Sequence, residues 1–270
     1  DDKLVRFNTY ANNYTYELEN NLKNTIVRKS SVNFNKAQNL GAVIYSSASS
    51  DSTQLGYISS SELSQHENRY GMTYEADIIF PKFIRLIDPF ERDFTRVSLF
   101  GIHSASSNLP LLQTEVFDPS FYVYAQRDEI YSKNVKFVLS SSLLANEISS
   151  SLYHDVYDNE NWNLSIRVKP DSVGLTGSVD GVSQTDYTIE FSGYNQRLGE
   201  LRNIFKITES AQTTSRTRRF LRSPKRIFAG AHRTDVTGTL QHRTDVLVTA
   251  TRYWTKRLDD DSLKQHALDF

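Results

Sequence analysis

Cysteine is absent from the 270 residues of this chain, which excludes both a disulfide framework and metal sites built from thiolates. Stability therefore has to come from buried apolar area and from hydrogen bonds. Methionine is nearly absent as well, since Met72 is the single one and the first residue is Asp1. We accordingly expect the chain to be an excised or processed piece of something longer.

The sequence also lacks an excess of charge of either sign. Lysine and arginine total 31, and aspartate and glutamate total 32, so the chain as a whole has no electrostatic attraction for nucleic acid or for an anionic membrane. Long hydrophobic runs are missing too, and none approaches the roughly 20 residues that a membrane-spanning helix needs. We predict that nucleic acid is not a partner and that the chain does not insert into a membrane.

The clearest positive signal is a strict alternation of apolar and polar residues that begins at Asn161. Its apolar positions are Trp162, Leu164, Ile166 and Val168. A period of two predicts a β-strand with one buried face and one face in water. The alternation resumes over residues 173–179 and 187–191, and the Asp180-Gly181 pair between them predicts a two-residue hairpin turn. This part of the chain is therefore predicted to be an antiparallel meander.

One such sheet cannot bury its own apolar side, so the remainder of the chain has to supply a second layer. Similar patterns predict strands at residues 71–83, 95–104, 121–126, 134–139, 227–230 and 245–253. Asp259–Asp261 suit the N-cap and first turn of a closing helix. The predicted fold is all-β, a two-sheet antiparallel jelly-roll sandwich with a short C-terminal helix. We assign residues 71–270 to this sandwich, and residues 1–70 to a polar N-terminal arm or to strands that pack on it.

Several segments follow one another in a recognisable order between residues 70 and 270. They are TYEADIIFPKF, VSLFGI, the pair FYVYAQRDEI and VKFVLSSS, the strand of Trp162, and a closing stretch with Gly230, Gly238, Trp254, Leu258 and a helix over residues 259–267. This order resembles the laminin-G/concanavalin-A-like jelly-roll family. The Ser-, Asn- and Tyr-rich style and the absence of cysteine resemble the laminin-G-type modules of large virion structural proteins in tailed phages.

The resemblance implies a non-enzymatic virion structural or decoration protein that binds other virion proteins or copies of itself, without a cofactor. Its expected location is then the virion, an extracellular particle. Two alternatives stay open: a carbohydrate-binding or adhesion module that recognises glycans of a host surface, and a concanavalin-A-like glycosidase. The fold does not separate them, because one fold carries many functions.

The glycosidase alternative depends on Glu75 and Asp77, two carboxylates on one strand face. Glycosidases of the same superfold carry an E-x-D-x-x-E strand that supplies the nucleophile and the acid. The third acidic position is Phe80 here, and phenylalanine cannot donate a proton. We therefore interpret Glu75 and Asp77 as solvent-facing strand carboxylates and predict no catalytic residue.

Two acidic runs carry the oxygen ligands that calcium prefers. Asp158-Asn159-Glu160 precedes the strand of Trp162, and Asp259–Asp261 precedes the last helix. Helix capping is the alternative for the second run. Whether the chain binds a metal therefore stays open.

A short HRTDV repeat supplies a further set of possible metal ligands. They are His232, Asp235, His242 and Asp245. An arginine directly follows each histidine and would repel a cation. We interpret the four residues as satisfied groups of two similar strand-edge turns.

The most function-like feature is a basic stretch from Ser210 to Arg226. Its cations are Arg216, Arg218, Arg219, Arg222, Lys225 and Arg226. The strand pattern stops before this stretch and resumes at Ile227, and a gap of this length is usually functional or disordered. We predict a long loop that leaves the sandwich and docks on an acidic patch of a neighbouring chain. A merely solvated loop is the alternative.

Overall fold

The computed structural model of this protein describes residues 71–82, 94–104, 121–171, 186–222, 225–233, 239–254 and 256–269. Within residues 1–70 it describes the backbone of four short strands. They are β1 (Leu4–Arg6), β2 (Thr15–Leu18), β3 (Val32–Asn33) and β4 (Ala42–Ser47).

Strands dominate the rest of the described chain. The strands are β5 (Met72–Ile79), β6 (Arg96–Ser104), β7 (Phe121–Arg127), β8 (Val135–Ser140), β9 (Ile148–Ser149), β10 (Asn161–Pro170), β11 (Tyr187–Arg197), β12 (Glu200–Ser210), β13 (Lys225–Gly230), β14 (His232–Arg233), β15 (Leu240–His242) and β16 (Leu247–Trp254). The helices are α1 (Thr214–Arg222), between β12 and β13, and α2 (Asp260–Leu268), after β16. Neither described helix is long and apolar enough to cross a membrane.

The described strands form two large sheets and a small one. Sheet A has the order β1-β16-β5-β10-β11-β12, and β3 also pairs with β16. Sheet B has the order β2-β4-β13-β6-β7-β8-β9, while β14 and β15 pair with each other. Adjacent strands run antiparallel, except that β2 and β4 are parallel. The predicted two-sheet antiparallel sandwich with a C-terminal helix is therefore confirmed.

The two large sheets meet through the apolar faces that the alternation predicts. Trp162, Leu164 and Ile166 of β10 and Ile78 of β5 are at most 1% exposed. The indole of Trp162 packs on the ring of Phe137 in β8, with the ring centroids 4.6 Å apart. An alternating strand buries its apolar face only when a second sheet covers it, and sheet B supplies this cover.

Most of the polar face of β10 is buried as well, so the predicted water-exposed face is wrong for the larger part of this strand. Asn163, Ser165 and Arg167 are all 0% exposed. The segment that leads into α2 lies on this face, and Nη1 of Arg167 donates to the carbonyl oxygen of Leu258 at 3.1 Å. Periodicity shows which side chains share a face, but here a segment from the end of the chain decides what covers that face.

The segment predicted to be a long loop contains a helix, α1. Thr217, Phe220 and Leu221 are buried, and the Phe220 ring packs edge-on against Phe121 of β7 with the centroids 5.1 Å apart. The prediction of a loop that leaves the sandwich is therefore wrong. These three buried residues occupy positions i, i+3 and i+4, which is the spacing of one face of a helix. The prediction of a loop considered only the basic residues and missed this signal.

Two predictions concern the meander after β10 and the first 70 residues. The predicted strand at 173–179 and the Asp180-Gly181 turn lie outside the described residues. The backbones of β1 and β3 pair with β16, and that of β4 pairs with β13. The division of the chain at residue 70 stays a prediction.

Trp162→Ala should lower the free energy of unfolding by about 3–5 kcal/mol, because truncation of a buried aromatic ring removes apolar contacts and leaves a cavity. Denaturant titration followed by circular dichroism measures this loss. Leu198→Ala is the control: Leu198 is 91% exposed, and its truncation should change the free energy by less than about 0.5 kcal/mol. Equally small effects of both substitutions would contradict the core position of Trp162.

Candidate functional site

Glu75 and Asp77 lie on the outer face of β5 and are buried, with exposures of 0% and 2%. The expectation of solvent-facing carboxylates is therefore wrong. Nδ2 of Asn163 donates to Glu75 Oε2 at 3.2 Å and to Asp77 Oδ1 at 2.6 Å. Arg252 of β16 pairs with Asp77, with Nη1 2.7 Å from Oδ2. The two carboxylates thus belong to a closed polar cluster.

The helix α2 reaches this carboxylate cluster through His266. Its Nδ1 is 2.7 Å from Glu75 Oε1, and the indole N–H of Trp254 donates to the same oxygen at 2.9 Å. The rings of His266 and Trp254 stack with their centroids 5.4 Å apart. These contacts fasten α2 to sheet A through a buried carboxylate.

The two carboxylates differ in proton affinity. Burial raises the pKa of Asp77 to about 6, against the opposing charge of Arg252. Burial also acts to raise the pKa of Glu75, but the hydrogen bond with His266 and the charge of Arg252 outweigh it, so the pKa of Glu75 is lowered. A glycosidase needs its two carboxyl groups on either side of a bound glycosidic bond. The closed, fully paired arrangement of Glu75 and Asp77 does not support that role.

A second buried ion cluster holds the chain just before and at the start of α2. Nη1 of Arg167 is 2.6 Å from Asp260 Oδ1, and its Nε is 3.1 Å from Glu190 Oε2. Arg257 and Lys206 also pair with Glu190, at 2.9 and 3.1 Å. Partial burial alone would raise the pKa of Glu190, but these cations lower it overall. The cluster therefore fixes the C-terminal segment on the outer face of sheet A.

The acidic runs considered as calcium ligands make contacts within the fold. Oδ1 of Asp259 accepts the backbone N–H of Ser262 at 2.7 Å and caps α2, which confirms the capping alternative. Asp158 pairs with Lys82 at 3.6 Å, and Oδ1 of Asn159 accepts the Lys82 backbone N–H at 3.0 Å. In the described part of the chain, no group of three or more histidine, aspartate or glutamate side chains is arranged to hold a metal ion.

The histidine of each HRTDV repeat lies in the β14–β15 pair, in which His232 is opposite His242. Their Nδ1 atoms are 3.3 Å apart. Asp245 instead binds Nη2 of Arg127 at 2.5 Å and the hydroxyl of Tyr157 at 2.8 Å, and Asp235 lies outside the described residues. The structure thus brings two of the four candidate metal ligands together and uses a third in a buried ion pair.

An open cleft of about 220 Å³ lies at the end of the sandwich where β10 begins, β11 ends and β12 begins. We call it the rim cleft. It is lined by His154, Asp155, Val156, Glu160, Trp162, Asn195, Arg197, Arg202 and Asn203. The lining is mostly polar and carries both hydrogen-bond donors and acceptors.

Hydrogen bonds between neighbouring strands orient the polar side chains of the rim cleft. Nδ2 of Asn195 donates to Glu160 Oε2 at 2.9 Å, and Nδ2 of Asn203 donates to Asn195 Oδ1 at 3.1 Å. Arg197 pairs with Glu160 at 3.1 Å. The indole nitrogen of Trp162 is buried, and no acceptor for it occurs among the described residues. The rim cleft is therefore a preorganised polar surface with one unused buried donor.

No motif or periodicity of the sequence points to the rim cleft. Its residues come from a loop and three strands, and each segment looks ordinary by itself. One usable signal is the polar composition on both sides of the Leu198-Gly199 turn, because a tight hairpin places its two arms side by side. The pairing of Asn195 with Asn203 realises this arrangement.

The predicted partner-binding cations lie on α1 and at the start of β13. Arg216 and Arg219 are exposed, and Arg218 is half-buried. Nη1 of Arg216 donates to the carbonyl oxygen of Ser142 at 3.1 Å. The side chains of Arg222, Lys225 and Arg226 lie outside the described residues. The basic residues therefore lie in a helix and a strand and not in a loop.

Comparison with known proteins assigns the chain to no sequence family, because no family model and no curated protein matches it. Among solved structures, the CBM2 module of the evolved Dit of Lactobacillus casei BL23 phage J-1 is similar, with a TM-score of 0.39 and 9% identity over 76% of this chain and 69% of that chain. The receptor binding domain of botulinum neurotoxin type G has a TM-score of 0.35 and 10% identity over 74% and 38% of the two chains. An alginate lyase from Klebsiella pneumoniae has a TM-score of 0.29 and 9% identity over 69% and 58%. Such low values carry no argument about function.

The free energy of unfolding of Asp77→Asn, relative to that of the wild type, should be higher at pH 7 than at pH 4. The folded state binds the Asp77 proton more tightly than the unfolded chain does, because its pKa is raised from 3.8 to about 6. The stability that this proton confers is present at low pH and is lost as the pH rises through about 6. The free energy of unfolding of the variant minus that of the wild type should therefore increase by on the order of 2 kcal/mol from pH 4 to pH 7.

Denaturant titrations of both proteins between pH 4 and pH 7 measure this difference. Asp261→Asn is the control, because the Asp261 side chain is 86% exposed and its replacement leaves the cluster of Glu75 and Asp77 intact. Parallel pH profiles for Asp77→Asn and the wild type would contradict the raised pKa.

Proposed function

We propose that this chain is a non-catalytic binding module of a virus particle, which docks on another particle protein or on a copy of itself through the arginine face of α1. This face comprises Arg216, Arg218 and Arg219. The observation that carries the proposal is the amphipathic helix itself: Thr217, Phe220 and Leu221 are buried, while Arg216 and Arg219 are exposed. A rigid element presents the cations, so a partner does not have to order a loop on binding.

The electrostatics of α1 favour an external anionic partner. Its first turn contains no acidic residue, although acidic groups are the ones that stabilise the positive end of a helix dipole. Arg216 lies close to that end and adds to the positive potential. Thr214 Oγ1 donates to Asp186 at 2.8 Å, which brings one carboxylate to the first turn. An acidic patch on a neighbouring protein would relieve the remaining repulsion and guide docking.

The placement in a virus particle rests on the resemblance of the chain to laminin-G-type modules of tailed-phage virion proteins. Segments that carry this resemblance, such as β5, β10 and the closing β16–α2 stretch, are parts of the described sandwich. The extracellular particle remains the proposed location, and no cofactor is part of the proposal.

The double variant Arg216→Ser/Arg219→Ser should keep the melting temperature of the wild type, because exposed charges contribute little to stability. It should bind its particle partner more weakly. For the wild type, binding should fall as salt is raised from about 50 to about 300 mM, since salt screens exposed charges. The fraction of chain that co-sediments with particles measures binding to another particle protein. The sedimentation coefficient of the free chain measures binding to a copy of itself.

Lys136→Ser/Lys169→Ser is the control, because it removes the same charge from two exposed lysines outside α1. Equal binding by both double variants would contradict the proposal that the arginine face binds the partner. A large fall in the melting temperature of Arg216→Ser/Arg219→Ser would instead show that these arginines stabilise the fold.

A second function, glycan recognition, is supported by the rim cleft. Sugar hydroxyls both donate and accept hydrogen bonds, and the lining of the cleft includes the exposed side chains of Arg202 and Asn203 beside the carboxylates of Asp155 and Glu160. Ligand sites of this kind combine a concave shape with a few oriented polar groups. We therefore propose the rim cleft as the site of the adhesion alternative.

Asn203→Ala tests this site, because it removes an exposed amide of the cleft lining that can donate and accept hydrogen bonds. On a glycan array, the full chain should bind a selective subset of glycans, and the variant should bind the same subset about fivefold to tenfold more weakly, as expected for one lost hydrogen bond. The control Lys136→Ser, outside the cleft, should bind like the wild type. An array without selective binding would reject the glycan function.

A further inference from the structure

Three histidines from separate strands meet on the outer face of sheet B. They are His103 of β6, His232 of β14 and His242 of β15, and we call them the imidazole cluster. The centroid of the His232 ring lies 5.6 Å from that of His242 and 6.0 Å from that of His103. His103 and His232 are 4% and 7% exposed. The cluster therefore places several titratable rings where water has little access.

Aromatic rings of sheet B lie directly under this cluster. The ring of Tyr122 stacks on His232 with a centroid distance of 4.4 Å and on His242 at 5.5 Å. Phe228 of β13 stacks on His232 at 5.4 Å, and Tyr122 stacks on Tyr124 at 5.3 Å. The small sheet of β14 and β15 is thus seated on sheet B mainly through stacked rings.

The charges around the cluster do not favour protonation. Arg96 of β6 places Nη1 3.5 Å from Nε2 of His242. Glu147 is the carboxylate on this side, and it accepts the hydroxyl of Tyr124 at 2.9 Å. Arg96 therefore places a positive charge directly beside the pair, and a proton added to His242 meets that charge.

We propose that the small sheet of β14 and β15 is an acid-labile cover of the outer face of sheet B. At neutral pH, one Nδ1 of the His232–His242 pair donates its proton to the other across 3.3 Å. When both rings are protonated, two N–H donors and two positive charges face each other, with Arg96 alongside. Charge of the same sign at this distance is unfavourable, most of all where water is excluded. The pair then separates, and the cover leaves the aromatic rings.

The direction of proton linkage agrees with this geometry. Burial, together with the neighbouring His103 and His242, lowers the pKa of His232 to about 3, and burial with Arg96 lowers the pKa of His242. A released histidine takes up a proton near its ordinary pKa of about 6.5. The open state therefore binds protons more tightly than the closed state, and closure loses stability as the pH falls from about 6.5 toward 3.

Release of the cover would expose a compact apolar surface. Tyr122, Tyr124, Val138 and Phe228 form a separate buried group under it. The inference concerns this second face of the sandwich and does not depend on the arginine face of α1 or on the rim cleft.

Amide hydrogen exchange of the full chain at pH 7.5 and pH 4.5, corrected for intrinsic rates, tests the proposal. Amides of β14 and β15 should lose about tenfold or more of their protection at the lower pH, whereas those of β10 should change little, because local opening and global unfolding are separate events. His232→Gln/His242→Gln replaces the pair with neutral side chains and should abolish the pH dependence. His154→Gln, a change at an exposed histidine outside the cluster, should keep it.

The proposal is overturned if protection of β14 and β15 in the wild type is the same at both pH values. It is also overturned if the double glutamine variant opens with acid as the wild type does. Should the double variant lack the small sheet already at pH 7.5, the wild type decides the matter through NMR titration of its histidine rings. Ring signals of His232 that titrate near pH 6.5 without loss of amide protection would then reject the proposal.

Discussion

The burial of the polar side chains of β10 is the constraint on which much of this structure depends. A polar or charged group that leaves water needs a partner. Asn163 finds its partners in Glu75 and Asp77, and Arg167 finds them in Glu190 and Asp260. Asp260 is on α2, and the cluster of Glu75 is completed by that helix as well. The last part of the chain therefore acts as a third layer on sheet A.

Buried ion pairs of this kind position elements more than they add net stability, because desolvation offsets much of the attraction. The pair of Arg127 and Asp245 has the same character, since both side chains are 0% exposed, and it ties β7 to the segment before β16. Loss of one partner would leave an uncompensated buried charge. These pairs thus define where α2 and the approach to β16 lie on the sandwich.

The same covering layers leave few places for a ligand or partner in the described part of the chain. The segment 256–268 closes the outer face of sheet A over its two charge clusters, and β14 and β15 lie on the outer face of sheet B. The rim cleft and the exposed side of α1 stay accessible. A ligand or partner can therefore reach the described part of the chain at these two places, and it can reach the rings under β14 and β15 only if that small sheet opens.

Local signals in the sequence, namely period-two alternation and an aspartate cap, were enough to predict the all-β class, the apolar faces of β5 and β10, and the capped helix at the end. Tertiary structure alone decided that Glu75 and Asp77 are buried, because the helix that covers them comes almost two hundred residues later. It also decided that Asn195 and Asn203 meet Glu160 in one cleft, since strand register brings these segments together. For α1 a helical spacing of Thr217, Phe220 and Leu221 was present, but only the packing of Phe220 on Phe121 decides that this short, arginine-rich segment lies on the core.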